Sequence, residues 1–189
     1  MKKPKLTIEL IPTTSAYKNV RTILPKKEWD RLRKESYAKA KFKCQICSDI
    51  GTNQGYRHKL ECHEIWGYQN DGIQYLKELI SLCPLCHQVK HIGRAIAIGK
   101  KKKVFEHLAK INKWSKQDVE NYVGFCFQVH KERSKIKWKL NLKILTEKLK
   151  VDESLIDEGL RKKTLGKPTW KRKKKKKKTT QAKRRPSKK

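Results

Sequence analysis

Acidic residues are scarce in this chain of 189 residues: 18 Asp and Glu stand against 50 Lys and Arg, a formal charge of +32. From Arg161 to Lys189 there are seventeen basic residues and no acidic one, which leaves 33 basic against 18 acidic, or +15, in the first 160 residues. The excess is therefore general, with a concentrated tail. A surplus of this size makes a compact chain repel itself unless a polyanion is present, so nucleic acid is the expected partner, and an enzyme for small acidic molecules would not need it. Long apolar runs are also missing. None approaches the roughly 20 residues that span a bilayer, and Met1-Lys2-Lys3-Pro4-Lys5 leads into alternating residues where a secretory signal needs a continuous apolar core. No membrane is expected as a partner, and the expected location is cytoplasmic, or nuclear in a eukaryotic host. At 36% hydrophobic residues the chain can build one modest domain.

What the chain does have is cysteine in a telling arrangement. Four of its six cysteines form two C-x-x-C pairs, Cys44–Cys47 and Cys83–Cys86. A two-residue spacer lets both thiolates of a knuckle face one ion, and two knuckles complete a tetrahedral Zn²⁺ site. A disulfide framework is disfavoured in a reducing compartment, and a redox role for the pairs lacks a thioredoxin-like βαβ setting. The 35 residues between the knuckles must hold a small substructure. Cys126, in the apolar run Tyr122-Val123-Gly124-Phe125-Cys126-Phe127, reads as a small core residue.

Hydropathy patterning supplies the elements around the knuckles. Residues 5–11 alternate Leu6, Ile8 and Leu10 with Lys5, Thr7 and Glu9, which predicts a half-buried strand ended by Pro12. Residues 26–41 predict a helix with Trp29, Leu32 and Tyr37 inward. Gly51, Asn53 and Gly55 mark a turn; residues 56–66 are β-like, and Gly67 and Asn70-Asp71-Gly72 break them, so a two-stranded ribbon fits between the knuckles. Leu85, Val89, Ile92 and Ile96 behind Pro84 predict a helix over 84–98. Helices follow at 101–112 and 115–133, the second opened by a Ser115/Asp118 capping box. Residues 136–144 alternate as a strand that could pair with 5–11, and disorder is expected from Arg161 onward.

Histidines gather in the same region. His87 follows the second knuckle directly and His91 lies four residues later, so on a helix both face one ion. His63 lies in the ribbon, within Glu61-Cys62-His63-Glu64.

These residues resemble the HNH, or ββα-metal, nucleases. The resemblance runs through Cys44-x-x-Cys47, the ribbon stretch Leu60-Glu61-Cys62-His63-Glu64-Ile65-Trp66, and Leu79-Ile80-Ser81-Leu82 leading into Cys83-Pro84-Leu85-Cys86-His87 and on to His91. With the flanks Asn19-Val20-Arg21 and Pro25-Lys26-Lys27-x-Trp29 it covers roughly residues 19–94 and resembles small phage and mobile-element proteins. It implies a zinc-stapled ββα-metal core (43–98), and with the patterning around it the chain reads as an α+β fold: an entry strand and helix (1–42), that core, a helical and strand extension (99–160) and a disordered basic tail (161–189). It also implies DNA phosphodiester hydrolysis, with His63 as general base and His87 holding a catalytic Mg²⁺ or Mn²⁺; His91 resembles the extra helical ligand of the colicin-type branch.

The chain departs from the family at two positions. Cys62 stands where the family has an Asp or His ligand, so Glu61 or Glu64 supplies the oxygen or the site takes a softer ion such as Zn²⁺. Glu78 stands near the place of the family's middle Asn, so Glu78 or Asn70 takes over that role or activity is reduced. Arg57, Lys59, Lys90 and Arg94 are candidates to hold the nucleic-acid backbone, and Lys173, Lys174, Lys175 and Lys176 of the tail for sequence-independent phosphate contacts, with RNA as a further partner. A non-catalytic, zinc-stabilised nucleic-acid-binding protein is the alternative reading, and a ribonucleoprotein subunit a third that rests on charge alone. Nothing in the sequence identifies a dimer surface.

Overall fold

The computed structural model describes residues 4–15 and 19–165. Asn19 caps a single helical turn, α1 (Val20–Ile23), its side chain accepting the Thr22 N–H. Pro25 precedes α2 (Lys26–Lys39), whose buried residues Trp29, Leu32 and Ser36 recur at three and four. α2 stops two residues short of the expected end because Lys41 and Phe42 adopt left-handed φ of 50° and 55°. A 3₁₀ turn, Gly51–Gln54, leads to the hairpin of β1 (Glu61–Tyr68) and β2 (Ile73–Leu82), paired antiparallel from Glu61 opposite Leu82 to Tyr68 opposite Gln74. Between Ile65 and Trp66 the register slips: Ile65 faces Glu78 and Trp66 faces Leu76, leaving Lys77 as the bulged residue. Gly67 is required here, since a Cβ would stand 2.2 Å from the Tyr75 ring.

The expected helix over 84–98 is two helices, α3 (Pro84–Lys90) and α4 (Ile92–Ala97), which meet at His91 with φ −99° and ψ 45°. The break keeps Val89, Ile92 and Ala95 buried while His91 faces the hairpin histidine. α5 (Lys101–Asn112) and α6 (Lys116–Arg133) fall within a residue of their predicted spans, and both halves of the Ser115/Asp118 capping box are formed.

Two strand predictions are corrected. Residues 5–11 form an extended arm rather than a strand. Leu6 and Ile8 are buried as the alternation demands, but the backbone bonds to helices: Asn112 Oδ1 accepts the Leu6 N–H, Asn112 Nδ2 donates to the Leu6 carbonyl, and the Glu9 N–H reaches the Lys90 carbonyl. Of residues 136–144 only β3 (Lys139–Asn141) is a strand, parallel to β2 along Ile73–Tyr75, so the sheet order is β1-β2-β3 and the pairing with 5–11 does not form. The Asn141 side chain accepts the Lys143 N–H and turns the chain into α7 (Lys143–Glu147), where Leu142 and Leu145 bury three residues apart. α8 (Glu153–Leu165) follows and carries helix through 161–165, where disorder was expected. The rest of the basic tail, with Lys173, Lys174, Lys175 and Lys176, lies outside the described residues.

The result is a mixed α+β fold with a core on each face of the hairpin. Ile80 and Leu82 join Cys44, Cys83, Cys86, Val89, Ile92, Val104, Leu108 and Val119 on one side. Trp66 and Leu76 join Trp29, Leu32, Ile23, Leu145, Val151 and Ile156 on the other. No helix among the described residues is long and apolar enough to cross a membrane.

The second core closes where α8 meets α1 at Gly159: a Cβ there would stand 1.9 Å from the Ile23 carbonyl oxygen. Gly159→Ala should gain about 1 kcal/mol of helix propensity and lose more, about 1–3 kcal/mol, to overpacking against backbone that cannot rotate away. A thermal midpoint lowered by a few degrees is expected; a raised one would mean that α8 does not seat on α1.

Candidate metal centres

Four sulfurs converge first. Cys44 and Cys47 sit in a tight turn closed by the Ser48 N–H on the Cys44 carbonyl; Cys83 caps α3 and Cys86 lies in its first turn. Their sulfurs all lie within 4.8 Å of one another, Cys44, Cys83 and Cys86 are buried, and all four are free thiols. The Cys47 and Cys83 sulfurs are 3.5 Å apart, far beyond a disulfide and close to the roughly 3.8 Å edge of a tetrahedron with 2.3 Å Zn–S bonds. The Cys86 N–H at 3.5 Å and Gln54 Nε2 at 3.3 Å donate to the Cys83 sulfur, and His107 Nε2 lies 3.2 Å from the Cys86 sulfur. Such donors hold thiolates in place around a metal. Neighbouring Cys44 and Cys47 hold the Cys83 thiol well below its ordinary pKa. The set fits zinc, and an ion there would bind the loop before β1 to the start of α3. Gln54 and His107 carry no sequence signal that marks them for this role.

Three imidazoles converge one turn along α3. Strand alternation puts Glu61 and His63 on the face toward α3, and the i, i+4 spacing brings His87 and His91 round to meet them. The rings stand edge to face, with centroids 4.7 Å apart for His87 and His91, 4.9 Å for His63 and His91, and 5.2 Å for His63 and His87. One ring nitrogen of each lies within 4.8 Å of the others. Burial lowers the pKa of His63, with the Glu9 hydrogen bond opposing it in part, and burial together with His63 and His87 lowers His91 to about 3. Neutral rings keep the lone pairs that a metal or a proton needs.

Two carboxylates flank the rings. Glu61 touches His87 Nδ1 with one oxygen and His58 Nε2, at 2.6 Å, with the other. Glu9, from the arm, stands 3.3 Å from His63 Nε2 and 2.6 Å from Lys90 Nζ. Burial alone would raise both carboxyls; for Glu9 the hydrogen bonds and charges of His63 and Lys90, and for Glu61 those of His87 and His58, outweigh it and lower both. Glu9 and His58 were not among the sequence candidates.

Other candidates fall elsewhere. Cys62 faces the second core, beside Ser36 and Tyr37, with its thiol pushed up to about 12 chiefly by burial, so it does not join the histidines. Glu64 is on the same side, its Oε1 accepting the Val20 N–H at 2.8 Å, which leaves Glu61 as the carboxylate of the ribbon that reaches the cluster. Glu78 is exposed opposite Ile65, and Asn70 is exposed in the hairpin turn; neither reaches the cluster. Lys90, a candidate for backbone contact, is 3% exposed and held by Glu9 and Thr7, so no phosphate can reach it. Arg57 and Lys59 are exposed before β1, and Arg94 is exposed on α4.

The histidines open into a cleft of ≈ 1000 Å³ whose wall includes Arg21, Trp29, Arg94 and Lys100. Lys26 and Arg33 also line it but are paired with Asp30, at 2.5 and 2.7 Å. No family model, no curated protein and no solved structure matches the chain.

Proposed function

We propose that this protein is a metal-dependent endonuclease of the HNH type that hydrolyses phosphodiester bonds in DNA. The observation that carries the reading is the meeting of His63 from β1 with His87 of α3 and His91 at the junction of α3 and α4, on a strand–strand–helix unit beside the four clustered cysteines. Hydrolysis at phosphorus needs a base for the attacking water and countercharge for oxygens that become more negative in the transition state. A divalent ion bound by His87 and His91 would supply that countercharge as a Lewis acid. His63, buried and neutral, takes the proton from water. Glu61 occupies Nδ1 of His87 and so leaves its Nε2 for an ion. Arg21, Arg94 and Lys100 on the cleft wall, with the basic tail, hold phosphates without reading sequence.

The donor set guides the choice of ion. Mg²⁺ prefers oxygen, and Glu61 is the ribbon carboxylate beside the rings, whereas imidazole nitrogen suits Zn²⁺ and similar ions. The catalytic ion proposed here is therefore a nitrogen-preferring one, Zn²⁺ ahead of Mn²⁺ and Mg²⁺. The placement of Cys62 and Glu78 away from the cluster favours the second reading, a zinc-stabilised nucleic-acid-binding protein without catalysis. Supercoiled plasmid incubated with the full chain and Zn²⁺, Mn²⁺ or Mg²⁺ separates them. Nicked or linear product is expected. Intact but retarded plasmid with every ion, and intact single-stranded and branched DNA as well, would overturn hydrolysis in favour of binding alone.

A further inference from the structure

The arm over residues 5–11 is fastened along its length to the helices that follow the histidines. Asn112 of α5 takes both the N–H and the carbonyl of Leu6 at 2.9 Å, and the Ile8 N–H points to the Tyr122 hydroxyl of α6 at 3.4 Å. His130 Nε2 lies 3.1 Å from the Ile11 carbonyl, and Ser134 Oγ accepts the Thr13 N–H at 3.1 Å. Between these points Glu9 turns inward, fixed by its own N–H on the Lys90 carbonyl at 2.9 Å and by its carboxylate on Lys90 Nζ at 2.6 Å. Lys90 donates to Thr7 Oγ1 as well, at 2.7 Å. Nothing in the hydrolytic reading uses this network, although its other end is His63.

We propose that Glu9 is the positioning residue of the histidine centre: it accepts the Nε2–H of His63 and so fixes the tautomer of that ring, leaving its Nδ1 lone pair bare. The chemistry leaves one arrangement. An oxygen against a buried ammonium belongs to an ionised carboxylate, and a carboxylate can only accept. The hydrogen therefore sits on Nε2. A neutral imidazole carries one N–H, so its Nδ1 is bare. The opposite tautomer would set a lone pair against the Glu9 oxygen at 3.3 Å and leave Nδ1 with a hydrogen in place of a lone pair. The arm is thus part of the site, and α5 and α6 hold it there. The kinetic consequence rests on the hydrolytic reading; the tautomer does not.

Glu9→Gln tests this with almost no change of shape. Lys90 still demands an oxygen, so the amide must turn its NH₂ toward His63, donate to Nε2 and drive the hydrogen to Nδ1. Long-range ¹H–¹⁵N spectra of the full chain, loaded at the cysteine site and labelled at histidine, report which nitrogen carries the hydrogen. Wild type is expected with the hydrogen on Nε2 of His63 and Glu9→Gln with it on Nδ1. The kcat of the variant should fall by about 100-fold or more, as wrong-tautomer variants of catalytic histidines do, with KM changed little. Adding Lys90→Met frees the amide to turn back, and should restore the Nε2 hydrogen and part of the rate. A wild-type His63 protonated on Nδ1, or a Glu9→Gln spectrum identical to wild type, overturns the assignment. Absence of cleavage by wild type would overturn the hydrolytic reading instead, while the two spectra still decide the role of Glu9.

Discussion

Cys86→Ser is expected to leave the protein without its tightly held zinc and without a cooperative fold. Cys86 is fully buried in the first turn of α3, its sulfur faces three others, and its side chain belongs to the same core as Leu82, Val89 and Ile92. A hydroxyl there is a poor zinc ligand and would be buried among apolar neighbours. Structural zinc contributes about 10–16 kcal/mol of apparent binding free energy, and whole domains are stable by about 5–15 kcal/mol, so loss of the ion is enough to unfold the core. The damage reaches the histidines, because His87 follows Cys86 directly in α3. Wild type should retain one zinc per chain after dialysis against a mild chelator, and Cys86→Ser close to none, with no cooperative melting transition. Cys126→Ser is the control: that thiol is half-buried on α6, outside the cluster, and should cost about 1 kcal/mol without touching the zinc. Wild-type zinc content and melting in Cys86→Ser would remove the knuckles from the fold's stability.

The features legible in the sequence are those whose physics is local. The C-x-x-C spacing, the capping box at Ser115 and the His87/His91 spacing each need only a few residues of context, and the structure holds all three. The hairpin between the knuckles was legible too, although β1 runs 61–68 where 56–66 reads as β-like, and Gly67, which reads as a breaker, lies inside it. The arm shows how a correct pattern can mislead. Leu6 and Ile8 are buried as their alternation implies, but an alternating segment normally turns its polar positions to solvent, and Thr7 and Glu9 turn theirs to a buried lysine 81–83 residues away. No local signal carries that partner. For Cys62 the local signal was present: on a strand where His63 faces α3, Cys62 and Glu64 must face away. The family pattern pointed the other way, and strand geometry prevailed. The break at His91 and the parallel pairing of β3 depend on how the two cores close, which is long-range packing that periodicity does not record.

His63→Ala is expected to slow phosphodiester cleavage by about 10²–10⁴-fold, the range contributed by a positioned general base. The substitution should spare the fold. His63 is 4% exposed and its loss leaves a small cavity, but the buried charges nearby, Glu9 and Lys90, remain paired with each other at 2.6 Å, so no buried charge is orphaned. Zinc at the four cysteines lies beyond its reach and should be unchanged. The ion requirement then separates the roles open to this ring. A base contributes to the proton transfer and not to ion affinity, so His63→Ala should fall in kcat with the same half-saturating ion concentration as wild type. His87→Ala removes a ligand, so it should need much more ion before any cleavage appears. An ion requirement shifted equally by both variants would make His63 a third ligand, and the proton acceptor would then have to be sought at Glu61, the carboxylate that touches His87. A His63→Ala variant that cleaves at the wild-type rate would remove the ring from the mechanism altogether and leave the three-histidine cluster as a binding site for metal alone.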